Sequence, residues 1–177
     1  YLRHIINLSI MSSEYPTSFK EAVIVPVPKG GNVRLASQQR QVCLMSPLSK
    51  IIETVMQQQL LEHLERYQLL SPTQFAYRKG RSTFGALSDL DTMVTRAKHD
   101  RKITTVLGTD LSGAFNLCSS SIVSAVLEVF NVCEYSRKLI VSYLTDRRVR
   151  VRIEGVFSDW ITLEVGAGEG SVIGPLL

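Results

Sequence analysis

The sequence has few cysteines and no long apolar run, and each shortage excludes a class of protein. Its three cysteines, Cys43, Cys118 and Cys133, are too few and too scattered for a disulfide framework or a zinc site. No apolar run approaches the length of a membrane span, and the first residues lack the layout of a signal peptide. We therefore expect an intracellular protein with reduced thiols and no membrane partner, in either the nucleus or the cytoplasm.

The charge imbalance is small as well. The 177 residues carry 20 Lys and Arg against 16 Asp and Glu, which gives a net charge of +4. This balance favours a polyanionic partner only weakly. With 45% hydrophobic and 20% charged residues, the chain should fold into one or two small domains. Neither Tyr1 nor Leu177 resembles a natural terminus, so we expect a piece of a longer protein.

Apolar spacing predicts a mixture of helices and strands. Helical spacing is found over 2–11, over 47–67, after Ser82 or Thr83, after Ser120 or Ser121, and over about 135–144. Strands are predicted over 22–28, 102–107, 148–153 and 157–165. Two prolines should confine the first of these strands to a sheet edge. Because the elements do not alternate regularly, the sequence predicts an α+β fold.

Asp110 is the most informative single residue. It directly follows the β-branched segment 102–107, and Phe115 stands five positions later. A carboxylate that closes a buried strand is costly unless something pairs with it. A natural partner is Mg²⁺ bound to a phosphorylated substrate, because Mg²⁺ takes only one or two protein carboxylates plus phosphate oxygens. The alternative is that Asp110 only caps the next turn, and this segment taken alone favours that alternative.

Further motifs stand in a fixed order around Asp110. They are Phe19–Gly30, Arg40 with Ser46–Glu53, Gln74–Thr83, the arginine-rich hairpin after Arg147, and Gly166–Leu177. In this order and spacing, the series resembles the reverse transcriptase domain of non-LTR (LINE-like) retrotransposons, from about Pro16 to the last residue. The resemblance implies a right-hand polymerase fold, with fingers over 1–100 and the start of the palm over 101–177. It also implies a fingers-side hairpin near 147–165, and a chain that stops before the family's aromatic-x-Asp-Asp hairpin.

The function implied by the resemblance is RNA-directed DNA polymerisation. Such enzymes copy RNA into DNA by two-metal nucleotidyl transfer, and their substrates are an RNA template, a DNA primer and deoxynucleoside triphosphates. Mg²⁺ is the implied metal, with Mn²⁺ as its substitute; no oligomeric state is implied. By the same resemblance, Asp110 is the catalytic, metal-binding carboxylate and the Leu111 carbonyl is a further metal ligand.

The resemblance also assigns residues to the substrates. The implied nucleotide-binding residues are Lys29, Arg40, Phe115, Glu169 and Gly170, where Phe115 matches the aromatic "steric gate" that crowds a ribose 2′-hydroxyl. The implied template-binding residues are Gln74, Phe75 and Arg78. Structural alternatives stay open: Lys29 and Arg40 as solvated charges, and residues 74–78 as a helix-entry loop. Arg148, Arg150 and Arg152 would either lie along nucleic-acid phosphates or form a solvated strand face.

Several positions depart from the family's pattern. Asn116 stands where an aspartate is usual, Glu169 replaces a glutamine, and Gln41-Val42 replace the usual Pro-Ile after Arg40. No aromatic-x-Asp-Asp motif occurs in the 177 residues, so we expect no polymerase activity from this chain alone. A non-catalytic nucleic-acid-binding remnant or scaffold that keeps the fingers fold is the alternative. A P-loop enzyme is excluded, because no Gly-Lys-Ser/Thr follows the glycines.

Overall fold

A computed structural model of the chain describes residues 1–30, 35, 38–111 and 113–177, with Asn116 described by its backbone alone. Its helices are α1 (Leu2–Ser12), α2 (Pro47–Arg66), α3 (Thr83–His99), α4 (Ser120–Val129) and α5 (Glu134–Leu144). Its strands are β1 (Glu21–Pro28), β2 (Gln39–Met45), β3 (Arg147–Ile153), β4 (Val156–Phe157) and β5 (Ile161–Leu163). Short 3-10 helices cover Thr17–Phe19, Ala114–Leu117 and Gly174–Leu176. The prediction of a mixed α and β chain is confirmed.

The chain divides into two compact units. The first combines Tyr1–His63 with Gly113–Leu177 and contains the whole sheet. The second runs from Leu64 to Ser112 and contains α3. None of the helices in the described part is long and apolar enough to cross a membrane.

The sheet of the first unit is built around β1 and β3. Strand β1 pairs with β2 antiparallel and with β3 parallel, while β4 and β5 pair antiparallel with opposite ends of β3. One face of the sheet is buried, and its core side chains are Ala22, Cys43, Met45 and Val149, with Ile24 and Leu163 packed against them. Because side chains alternate along a strand, the residues between these point to the opposite, outer face.

The prediction that β1 is an edge strand is wrong. Strand β1 lies between β2 and β3, although it contains Pro26 and Pro28. Its pairing with β3 covers only Glu21–Ile24, so both prolines lie beyond the paired part. A proline without an N–H is tolerated there, because no β3 carbonyl needs a donor at those positions.

The predicted strand over 102–107 is not formed. Residues 102–111 have no regular secondary structure, and Ile103 is 97% exposed. A strand needs a neighbour for its N–H and C=O groups, and no strand in the described ranges pairs with this segment. Asp110 therefore follows an irregular, exposed segment rather than a buried strand.

The helices agree closely with their sequence signals. Helix α2 begins at the predicted proline and ends one residue before the predicted Tyr67. Helix α4 begins at Ser120, slightly earlier than predicted, and its N-cap is Ser119 rather than Ser120 or Ser121; the Ser119 hydroxyl bonds to the Ser121 hydroxyl. The predicted second strand of the arginine hairpin is split into β4 and β5, which pair with separate parts of β3.

Candidate functional site

A glycine-rich segment, Gly166–Gly174, forms a turn that we call the glycine turn. Gly168 and Gly170 have φ values of 76° and 102°, which favour glycine. A Cβ on Gly168 would lie 3.3 Å from the Cys43 Sγ, and one on Gly170 would lie 3.3 Å from the Cys43 carbonyl oxygen. Both glycines are therefore required by backbone conformation and by close approach to β2.

The glycine turn follows the outer edge of β2. The Cys43 N–H donates a hydrogen bond of 3.1 Å to the Glu169 carbonyl, on the edge of β2 that does not pair with β1. A pocket of about 250 Å³ opens between the turn and the core face of the sheet, lined by Ile24, Gln41, Cys43, Leu163, Val165 and Glu169 among others. Burial raises the pKa of the Cys43 thiol; the nearby Arg147 charge opposes this rise and Glu169 adds to it.

Phe115 lies beside the same turn. Its carbonyl accepts a 2.9 Å hydrogen bond from the Ala167 N–H, and the Cys118 carbonyl accepts one of 3.0 Å from the Gly166 N–H. Its half-buried ring lies near the far end of the turn, since a Cβ on Gly174 would be 3.4 Å from the ring. The structure thus brings Phe115, Glu169 and Gly170 together along one turn.

A buried carboxylate in α2 holds the glycine turn from below. Glu53 is 0% exposed, and its Oε2 accepts hydrogen bonds from the Val172 N–H at 2.8 Å and the Ser171 hydroxyl at 3.2 Å. The Tyr143 hydroxyl lies 2.7 Å from the Ser171 hydroxyl and 3.4 Å from the same carboxylate oxygen. One helix turn further along α2, the Gln57 amide donates to the Val172 carbonyl at 2.8 Å. Helices α2 and α5 therefore fix the conformation of the turn.

The Arg147 guanidinium stacks on the Tyr143 ring next to this hydrogen-bond network. The Arg147 guanidinium, only 1% exposed, lies 4.7 Å from the centre of the Tyr143 ring and donates to the Tyr143 carbonyl at 3.3 Å. Burial raises the pKa of the Tyr143 hydroxyl above its ordinary value; Arg147 opposes this rise and Glu53 adds to it. The Tyr15 ring meets the Tyr143 ring edge-on, with 5.0 Å between their centres.

The two predicted nucleotide-binding cations lie at the far end of β1 and β2. Lys29 is exposed just after β1, and its N–H donates to the Gln38 carbonyl at 3.1 Å. Arg40 is exposed on β2 opposite Val27. By strand alternation, Arg40 belongs to the outer face of the sheet, whereas Cys43 and the pocket belong to the core face. The structure therefore places Arg40 and the glycine turn on different faces of β2.

The three predicted template-binding residues lie in the second unit. Arg78 forms a two-pronged ion pair with Glu65, with both nitrogen–oxygen distances at 2.7 Å, and donates to the Ser71 carbonyl at 2.8 Å. This hydrogen-bonded pairing lowers the pKa of the Glu65 carboxyl and raises that of Arg78. The Phe75 ring packs 3.2 Å from a Cβ built on Gly85, and Gln74 is half-buried in the same loop. Arg78 and Phe75 thus hold the loop before α3, and their contact with a template stays a prediction.

Asp110 and Leu111 lie next to the end of the second unit, and both are exposed. Among the residues that the structure describes, no three His, Cys, Asp or Glu side chains are grouped as a metal site would need. One exposed carboxylate next to a backbone carbonyl fits the few protein ligands that Mg²⁺ takes when a phosphate supplies the others. Asp110 and Leu111 could therefore supply part of the ligands of a metal whose other ligands come from a phosphate, but they would not hold a metal by themselves.

Comparison with known proteins settles the family. The family profile described as reverse transcriptase (RNA-dependent DNA polymerase) matches residues 27–177. The chain belongs to this family. The residue series that suggested a reverse transcriptase domain is thereby confirmed, and the match includes Asp110, Phe115 and the glycine turn.

Curated relatives of this reverse transcriptase chain are retrotransposon proteins. It is 29% identical over its whole length to the probable RNA-directed DNA polymerase from transposon BS of Drosophila melanogaster, covering 20% of that protein. It is 24% identical, over 99% of its length, to the retrovirus-related Pol polyprotein from type-1 retrotransposable element R2 of Popillia japonica, covering 24% of that protein. The X-element polymerase of Drosophila melanogaster is also 24% identical, over the full chain and 20% of that relative. The chain spans about a fifth to a quarter of these relatives.

The role of Glu53 in α2 of this reverse transcriptase chain was not predicted from the sequence. The signal was a carboxylate one turn after Ser49, on the face that carries the buried Ile52 and Met56. An acid on a buried helix face needs hydrogen-bond donors from elsewhere in the fold. The sequence alone did not identify those donors, because Val172 and Ser171 are more than a hundred residues away.

Proposed function

We propose that the chain is the fingers and first part of the palm of a retrotransposon RNA-directed DNA polymerase. Residues 1–100 would form the fingers and 101–177 the start of the palm, with the hairpin near 147–165 on the fingers side. The complete enzyme would add deoxynucleotides to a DNA primer along an RNA template. The family match and the curated relatives support this proposal.

The arrangement of Phe115 beside the glycine turn carries the proposal. An aromatic ring next to a turn that exposes its backbone at Gly170 can border a nucleotide on two sides. The ring would crowd a ribose 2′-hydroxyl, and the exposed backbone at Gly170 would approach the new base pair on the side away from its close contact with Cys43. Glu53 contributes by keeping the turn in one conformation.

Charge neutralisation falls to residues outside the turn. Lys29 and Arg40 would hold the triphosphate, where a guanidinium can grip two phosphate oxygens at once. The Asp110 carboxylate and the Leu111 carbonyl would hold Mg²⁺, or Mn²⁺ in its place. When bound, two such metals stabilise the attacking and leaving oxygens of phosphoryl transfer. Gln74, Phe75 and Arg78 would position the template.

Glu169 places a negative charge where the family usually has an amide. Its side chain lines the pocket beside the turn, so it should repel an incoming triphosphate. We expect Glu169→Gln to lower the KM for deoxynucleotides in a complete polymerase and leave kcat nearly unchanged. An unchanged KM would show that the carboxylate does not face the nucleotide.

Primer extension tests the proposed activity. In a longer protein that contains this chain and a downstream acidic hairpin, Asp110→Asn should slow extension by at least about 10²-fold, the cost of removing one charge-stabilising group. Asp100→Asn is the matched control, because Asp100 is an exposed aspartate of the same unit that forms an ion pair with the exposed Lys102. Equal rates for the two variants would refute the assignment. The 177-residue chain alone should give no product.

A non-catalytic nucleic-acid-binding protein is the second candidate, and the basic outer face of the sheet favours it. Arg148 and Arg152 are exposed there, together with Arg40. If the longer wild-type protein binds primer–template but never extends it, this second function replaces the first.

A further inference from the structure

We propose that the outer face of the sheet at β3 binds the phosphate backbone of a nucleic-acid strand without reading its sequence. The surface consists of Arg148, Arg150, Arg152, Phe157 and Trp160, and we call it the arginine platform. The identification of the anion as a nucleic acid rests on the proposed function. The geometry of the platform is independent of that function.

Strand alternation places the three arginines on one face. Val149, between the first two, is 4% exposed and belongs to the core cluster on the opposite face. Arg148 and Arg152 are exposed, and Arg150 is half-buried. Arg147 falls on the core side, where its guanidinium is already used by Tyr143, so it is not part of the platform.

Two aromatic rings contact two of the three arginines, Arg148 and Arg150. The Arg150 guanidinium lies 4.1 Å from the centre of the Phe157 ring and 4.7 Å from that of the Trp160 ring. The Arg148 guanidinium lies 5.2 Å from the Trp160 ring centre. Each such contact stabilises by about 0.5–1 kcal/mol at an exposed site. A guanidinium stacked by its flat face keeps the N–H groups at its edge for a phosphate, and it loses less freedom on binding than a free side chain.

The spacing of the arginines suits a repeating anion. Alternate residues of a strand are separated by about 6.6–6.8 Å, because each residue advances by about 3.3–3.4 Å. Each nucleic-acid strand carries one phosphate per ~3.4 Å of helix axis. Because the nucleic-acid backbone winds around that axis, consecutive phosphates are separated by more than this rise, so side chains at every second β3 residue suit neighbouring phosphates of an extended single strand.

The acidic residue Glu21, which pairs with Arg148, competes only weakly with a phosphate for the platform. Arg148 forms an ion pair of 3.4 Å with Glu21, and both side chains are about half exposed, at 47% and 43%. Exposed pairs of this kind contribute about 0–1 kcal/mol, so a phosphate can replace the carboxylate. Arg40 lies on the same face as Arg150, because both arginines are paired with β1 residues whose side chains point to that one face. The face as a whole is therefore positive.

Trp160 is the only tryptophan of the chain, and this makes the platform directly observable. We expect its fluorescence to change saturably when the 177-residue chain is titrated with oligothymidylate. With three phosphate contacts, the salt slope for a single strand is about −2, so raising salt from about 50 to 200 mM should weaken binding by ~20-fold. The oligonucleotide should also protect Trp160 from acrylamide quenching.

Matched variants separate the platform from overall charge. The triple variant Arg148→Gln, Arg150→Gln, Arg152→Gln should lose about two units of salt slope and most of the affinity. The control Arg3→Gln, Lys50→Gln, Lys98→Gln removes the same charge from exposed residues outside the platform and should bind nearly as the wild type does. Equal losses in both variants would overturn the proposal.

The wild-type protein alone can also refute the proposal if the platform variant does not fold. Binding detected by the anisotropy of a labelled oligonucleotide, without any change in Trp160 emission or quenching, would place the strand elsewhere. This result would be distinct from a failure of polymerase activity, because the titration requires no catalysis. A saturable Trp160 signal would support the platform even if a longer protein that contains the downstream acidic hairpin never extended primers, and only that second result would contradict the polymerase.

Discussion

Replacing Glu53 by alanine should destabilise the chain, because the glycine turn depends on this carboxylate. In Glu53→Ala, the Val172 N–H loses its 2.8 Å acceptor. The Ser171 and Tyr143 hydroxyls still have each other at 2.7 Å, so the amide is the group left without a partner. A buried donor without an acceptor costs about 1–3 kcal/mol, and the one lost side-chain methylene costs about 0.8 kcal/mol.

A relief term opposes these costs. The Glu53 Oε1 is buried and has no hydrogen-bond partner among the described residues, so the native carboxylate is itself only partly satisfied. We therefore expect a net loss of about 2 kcal/mol in the free energy of unfolding. For a chain of this size, such a loss lowers Tm by roughly 4–8 °C. The matched variant Glu53→Gln keeps an acceptor oxygen and the side-chain volume, and it should stay within about 1 kcal/mol of the wild type.

Equilibrium urea unfolding followed by circular dichroism gives the free energies of the three proteins. Amide hydrogen exchange at Val172 gives the local effect, which should be a faster exchange in Glu53→Ala than in Glu53→Gln. If the two variants are equally stable and exchange Val172 equally, the carboxylate does not hold the turn.

Three further predictions concern other groups. Gly170→Ala should lower the free energy of unfolding by about 1–2 kcal/mol for backbone strain, plus the cost of the close contact with the Cys43 carbonyl. The control Gly155→Ala should cost the strain alone, because Gly155 has a φ of 86° and open space around it. Equal losses of stability in urea unfolding would contradict the close approach. Hydrogen bonding to Ser136 lowers the pKa of the exposed Cys133 thiol, whereas burial raises the pKa of the Cys43 thiol. Iodoacetamide should therefore alkylate Cys133 before Cys43. Mass spectrometry that shows the reverse order would refute this prediction. Burial raises the pKa of Tyr143 in the folded state, so its proton stabilises the fold below pH ~10 and this stability is lost as pH rises further, by about 1.4 kcal/mol per pH unit. Tyr143→Phe should remove that share of the alkaline slope, and an unchanged slope would contradict it.

Local signals were sufficient where an element is stabilised by its own sequence. The serine–proline start and apolar spacing of α2 predicted its ends to within one residue. The alternation of arginine with valine predicted β3 and the face that its arginines occupy. In both cases the decisive contacts are close in sequence, or follow from the period of the element.

Pairing between distant segments could not be predicted in the same way. The β-branched segment 102–107 has the composition of a strand, yet a strand forms only with a neighbour, and a neighbour is not encoded locally. The prolines of β1 suggested an edge because the length of its pairing with β3 was unknown. Glu53 was overlooked for the same reason, since its partners lie at the other end of the chain.

Metal-directed cleavage tests the central claim, that Asp110 holds a catalytic metal. In a longer protein bound to primer, template and a deoxynucleotide, Fe²⁺ in place of Mg²⁺, with ascorbate and peroxide, generates radicals that cut the nearest backbone. We predict cleavage beside Asp110 and Leu111 that disappears in Asp110→Asn and persists in Asp100→Asn. Cleavage that is absent from this segment, or that is unaffected by Asp110→Asn, would contradict the account.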